Sequence, residues 1–133
     1  MPSFSASVSM STTTAQFVTS MLGCLTSVRT YHWASTSYSE HQALGELYDD
    51  FSDLLDEFVE QFQGIYGLLD RKKIGSLYTP DDAPALDYLR EVREHIGEMR
   101  RLSSFSQETS LQNLIDEIVG KFDRTIYKLA TLK

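Results

Sequence analysis

Six side chains in the first half of the chain have the types and spacing that metal chemistry requires: His32, His41, Asp49, Asp53, Asp56 and Glu60. A neutral imidazole offers a nitrogen lone pair, and a carboxylate offers charged oxygens. At about 100° per residue, His41, Asp49, Asp56 and Glu60 fall on one side of a helix, beside or opposite its apolar stripe. Asp56 and Glu60 are four residues apart and therefore surface neighbours, which costs a few tenths of a kcal/mol unless a cation lies between them. Two imidazoles with two carboxylates suit Fe(II) or Zn(II) better than Mg(II) or Ca(II). Each residue also has a plainer reading. The carboxylates form a solvated acidic face, and His32 continues an apolar stripe as a hydrogen-bonded core histidine.

The elements that must position these groups are helices. Thr13 and Gln16 have the spacing of a capping box, and Phe17, Met21, Leu25, Val28 and His32 then recur at helical intervals. A turn at residues 35–39 is short enough to force the next helix antiparallel. That second helix carries Leu44, Leu47, Tyr48, Phe51, Leu54, Leu55, Phe58, Phe62 and Ile65, with Gly64 and Gly67 marking its end. Residues 67–83 have no sustained period and are long enough, at about 3.3 Å per residue, to run back along a helix of that length. A third helix is expected from Thr79-Pro80 or Asp82, with Leu86, Leu89, Val92, Ile96, Met99 and Leu102 inward. Residues 103–108 read as a polar turn. Thr109 with Gln112 reads as a second capping box, opening a fourth helix with Leu111, Leu114, Ile115, Ile118, Phe122, Ile126 and Leu129. No strand pattern is apparent, so the fold expected is an all-α four-helix bundle of two antiparallel hairpins joined by a long connection. Residues 1–12 are rich in Ser and Thr and read as a flexible tail before a bundle domain at 13–133.

Composition narrows the function. The chain has 133 residues and a net charge of -7, with no Lys/Arg-rich tail, which argues against a sequence-independent grip on nucleic acid or on an anionic membrane. Its one cysteine, Cys24, excludes an internal disulfide and fits a cytoplasmic setting. No apolar run approaches a membrane span. Phosphate-binding glycine loops, paired cysteines and nucleophile elbows are absent. No histidine follows a Glu by three positions, and the last two apolar stripes hold no carboxylate, so a metal site at the bundle centre is not expected. One chain also separates its own groups, because His32 lies some five turns from Glu60. Two antiparallel copies of the first hairpin would pair His32 and His41 of one with Asp56 and Glu60 of the other.

Over residues 28–62 the sequence resembles the Dps-like mini-ferritins of the ferritin-like superfamily. His32-Trp33 matches the His-Trp that ends the family's first helix, and His41 matches the His that opens the second. Leu55-Asp56-Glu57-Phe58-Val59-Glu60 matches the Asp-Glu-x-x-Glu segment farther along. From His41 to Phe62 the register needs no gap. The resemblance implies a ferroxidase centre shared between two subunits, with His32, His41, Asp56 and Glu60 as ligands and Trp33 packed beside it. It further implies iron as the metal, with zinc as the other candidate, and self-association through the first hairpin toward a dodecameric shell. The chain departs from the pattern in its shorter turn and at Gly45, where the family has an acidic residue and where Glu46 stands adjacent. These departures favour a second expectation, a non-catalytic bundle that keeps the scaffold for assembly or protein interaction. A third is a helical adaptor offering its acidic face to a basic partner.

Overall fold

Thr13 begins the ordered helical core. Its hydroxyl accepts from the Gln16 amide at 3.1 Å while the Gln16 side chain accepts from the Thr13 amide at 2.9 Å, so two otherwise unpaired donors are satisfied. In the computed structural model, which describes residues 12–75, 78–80 and 82–132, this cap starts α1 (Thr14–Ala34). Three helices follow: α2 (Tyr38–Tyr66), α3 (Ala85–Leu102) and α4 (Thr109–Thr131). Replacing Thr13 by Ala is expected to cost about 1 kcal/mol, read as a lower urea midpoint at unchanged slope.

The protein is an all-α four-helix bundle. In it, α1 packs on α2, α2 on α4 and α4 on α3, whereas α1 and α3 meet only sparsely. Long-range hydrogen bonds set the directions. Ser39 donates to the Leu132 carbonyl, placing the start of α2 at the end of α4. Tyr31 Oη donates to the Ala83 carbonyl at 2.7 Å, placing the end of α1 at the start of α3. Thr12 bridges Ser103, placing the start of α1 at the end of α3. The connection from α2 to α3 therefore runs the length of the bundle. It passes Thr19, whose hydroxyl accepts from Gly75, and includes one short 3-10 turn, Arg71–Lys73. Gly67, at φ +95°, releases the chain from α2, a conformation other residues adopt at a cost.

The core is aromatic at one end. Phe17, Phe58 and Phe105 are fully or almost fully buried, with ring centroids 5.1–5.6 Å apart. Phe105 belongs to the segment read from sequence as a polar turn. It folds back as a plug where Leu102 and Ser104 are hydrogen-bonded to Thr12, which holds the chain just before Phe105 against the start of α1. Two other boundaries differ from expectation. α3 begins at Ala85, later than Thr79 or Asp82, because Pro84 biases the residue before it away from helical conformation. The expected capping box of Thr109 and Gln112 does not form. The helix starts one residue earlier, with Glu108 at the cap, and the Gln112 side chain turns instead to the Phe105 carbonyl at 3.3 Å. Of the expected tail, residues 1–11 lie outside the described residues, while Thr12 is buried. Among the described residues no helix is long and apolar enough to cross a membrane.

Candidate metal centre

The turn between α1 and α2 positions the histidines. The Ser35 amide closes α1 on the Tyr31 carbonyl, and Ser37 caps α2 through the Glu40 amide. Only residues 35–37 separate the helices, so the last turn of one faces the first turn of the other. His32 and His41 meet there. Each ring lies 2.7 Å, through Nδ1, from the backbone carbonyl of the other residue, and the two imidazoles stack at 3.9 Å with their planes 19° apart. A carbonyl oxygen only accepts, so Nδ1 must carry the proton in both rings. In the neutral imidazole that leaves the lone pair on Nε2. Ligating histidines are usually oriented this way, by donating the far ring N–H to a backbone carbonyl or carboxylate.

Gly45 supplies the room for this clasp. A Cβ there would stand 2.9 Å from His32 Cε1 and 3.2 Å from Nδ1, closer than an unstrained contact allows. The resemblance had marked Gly45 as a missing carboxylate; sterically, no side chain fits there while His32 keeps its present pose. Glu46 beside it does not replace that carboxylate toward the histidines alone, since it pairs with Lys128 of α4 at 3.1 Å. Gly45→Ala relieves the entropic penalty of a helical glycine by up to about 1 kcal/mol. Overpacking against a ring held by both a hydrogen bond and a stack costs about 1–3 kcal/mol. The expected net effect is destabilisation, together with displaced histidine ring-nitrogen signals in NMR.

The histidines open on a cleft of about 290 Å³, lined also by Arg29, Gln42, Tyr48 and Asp49. Arg29 lies over the faces of Tyr48 and Trp33, at 4.4 and 5.3 Å from the ring centroids. Trp33 itself is 65% exposed, so it flanks the site from the surface. Asp53, Asp56 and Glu60 are exposed and do not line the cleft. At 1.5 Å per residue, Asp56 and Glu60 lie roughly 22 and 28 Å along α2 from His41. Among the described residues, no three His, Cys, Asp or Glu side chains of a single chain converge as a metal site. The structure thus joins His32 to His41, and it leaves Asp56 and Glu60 facing outward from the same helix.

Cys24 sits away from this centre, hydrogen-bonded to Tyr88, and burial pushes its thiol up to about 11. Burial likewise raises Tyr88, with Cys24 adding to the shift. Such a thiol is a poor nucleophile and agrees with a packing role. Sequence reasoning reached the histidines individually but missed their mutual clasp and the role of Gly45. The available signal was two histidines flanking a turn too short to keep them apart.

A family model described as "Family of unknown function (DUF5856)" matches residues 32–129, a span that opens on His32 and includes Asp56 and Glu60. The chain is 26% identical over 113 residues to an uncharacterized 14.6 kDa protein in the mobD-ri intergenic region of Enterobacteria phage T4. That match covers 82% of this chain and 84% of the phage protein. No solved structure matches.

Proposed function

We start from the fact that this chain belongs to the DUF5856 family, of unknown function, and propose that it is a ferritin-like, self-associating bundle that binds Fe(II) or Zn(II) between subunits. His32 and His41 of one copy supply nitrogen, and Asp56 and Glu60 of a second copy supply oxygen. The observation that carries this reading is the reciprocal clasp. It fixes both tautomers so that Nε2 is the basic nitrogen, at no further ordering cost when an ion arrives. Further support comes from the carboxylates. Asp56 and Glu60 have no ion-pair partner among the described residues, whereas Glu46 and Asp50 on the same helix are paired to Lys128 and Lys121. Oxygen donors left unpaired, four residues apart on an outward face, gain most from a cation brought by another copy.

Fe(II) is the substrate in this reading, and Zn(II) a redox-inert occupant of the same donors. What the residues themselves do is bind and orient. The two imidazoles hold their lone pairs in fixed directions, and the carboxylates offset the ion's charge. Anaerobic titration with Co(II), whose ligand-field absorption reports nitrogen and oxygen donors, should saturate with about one ion per His32–His41 pair. Admission of air to the Fe(II)-loaded protein tests oxidation separately. A rate equal to that in buffer removes the ferroxidase activity and leaves binding.

A second reading is favoured by the same hydrogen bonds. The clasp already satisfies both Nδ1 donors and locks the turn, so the histidines have a structural role even without metal. The protein is then a metal-free assembly module. A dimer or larger oligomer that takes up neither Co(II) nor Zn(II) would establish that alternative.

A further inference from the structure

Arg29 is the only Lys or Arg in the first 70 residues, a stretch that holds nine Asp and Glu. Among the described residues the four ion pairs all fasten α4, two to α3 and two to α2, and none reaches α1. Arg29 thus has no carboxylate partner among the described residues, although Glu46 and Asp49 line the same cleft. Contact with the ring faces of Tyr48 and Trp33 holds its guanidinium in place without supplying a counter-ion.

An unpaired carboxylate lies on the same outward strip of α2. At about 100° per residue, Asp56 stands about 80° around the helix from Tyr48, on the strip that holds Gly45 and Ser52. Asp53 is turned about 140° from Tyr48, toward Glu46 and Asp50, which pair with the lysines of α4. Within one chain Asp56 lies about 12 Å along α2 from Tyr48, too far for the guanidinium held there. An antiparallel second copy changes this. With His41 facing Glu60 of that copy, Tyr48 stands level with its position 53. Asp56 of the second copy is then offset from Arg29 by about 4.5 Å along the axis, and its Asp49 by about 6 Å the other way. A two-fold axis makes the same contact twice.

We propose that Arg29 of each copy pairs with Asp56 of the other, as the charged anchor of a two-fold contact between α1–α2 hairpins. The proposal rests on the two-copy arrangement given above and needs no metal. A guanidinium has the fork geometry that takes a carboxylate through two N–H donors. Because Tyr48 and Trp33 already hold it, little further freedom is lost when the pair forms. Trp33, 65% exposed beside it, adds the aromatic area that Arg-centred contacts commonly bury. The pair belongs to the ion-free state. An ion bound by Asp56 takes that carboxylate from Arg29, so metal uptake and release of Arg29 are one event.

Charge reversal in the full chain, with a chelator present, tests this pair separately from metal binding. Dimer affinity is read by analytical ultracentrifugation over a range of protein concentrations. Arg29→Glu and Asp56→Arg should each weaken the dimer at least about tenfold, because like charges then face each other at both contacts. The double variant Arg29→Glu/Asp56→Arg restores opposite charges at both contacts, and so does the mixed pair formed by the two single variants. Each should recover to within about threefold of the parent. A parent that stays monomeric without metal overturns the proposal, as does dimerisation unchanged by either single reversal. Failure of both the double variant and the mixture to improve on the single variants overturns it too. In each of these cases Co(II) titration of the parent still decides the metal reading by itself.

Discussion

Replacing His32 and His41 together by Ala is expected to abolish Co(II) and Zn(II) binding while leaving a folded bundle. Loss of an outer partner of a ligating histidine commonly costs roughly 10–100-fold in affinity, and loss of two ligands costs more. The helical fold should survive because both rings are only half-buried and sit at the hairpin turn, outside the Phe-rich core. His32→Ala alone removes one nitrogen and also one arm of the clasp, leaving the His41 carbonyl without its ring donor. The single and double variants should therefore be nearly alike in metal binding. Isothermal titration with Zn(II), with circular dichroism to verify the fold, distinguishes this from a general loss of structure. Unchanged affinity in the double variant would remove the histidines from any metal site.

The second large effect concerns stability. Phe58 is fully buried, and its ring touches those of Phe17 and Phe105, thereby joining α1, α2 and the loop before α4. Phe58→Ala is expected to cost about 3–5 kcal/mol, since the cavity is bounded by three separate segments that cannot all collapse into it. For a chain of this length that is a large part of total stability. Urea denaturation followed by circular dichroism should show the midpoint fall sharply, and a loss below about 1 kcal/mol would mean that the aromatic cluster is loosely packed. Phe105→Ala tests the same cluster from the loop side. It should additionally loosen the Thr12–Ser103 bridge.

The four helices were legible because their apolar residues recur at helical spacing over many turns, most clearly from Leu44 to Phe62. The Thr13–Gln16 box was legible for a related reason: capping depends on neighbours in sequence alone. What escaped was set by contacts between distant segments. Phe105 lies among Ser, Gln and Glu, and nothing local reveals that Thr12 holds the chain just before it against the start of α1. The start of α3 could have been read more closely, since Pro84 restricts the residue before it. At the site, helical angle correctly turned Asp56 and Glu60 outward, and residue counting correctly kept them from their own histidines. The His32–His41 clasp depends on how two helices cross after a turn of three residues, and no periodicity encodes that. Gly45 is instructive in the same way. As a letter it reads as a lost ligand, and only the 2.9 Å approach of the His32 ring to its absent Cβ reveals why a side chain is excluded.

The central claim is that the ion is held between two copies, and complementation tests it most directly. One variant carries His32→Ala and His41→Ala; the other carries Asp56→Ala and Glu60→Ala. Neither alone should bind Co(II) with the parent's absorption. In a mixed pair related by a two-fold axis, one site loses all four ligands and the other recovers all four. With free exchange, half of the pairs are mixed, so about a quarter of the parental Co(II) signal should appear on mixing. No signal after subunit exchange has been verified by light scattering and mass spectrometry, or full binding by the Asp56→Ala/Glu60→Ala variant on its own, would contradict a shared site.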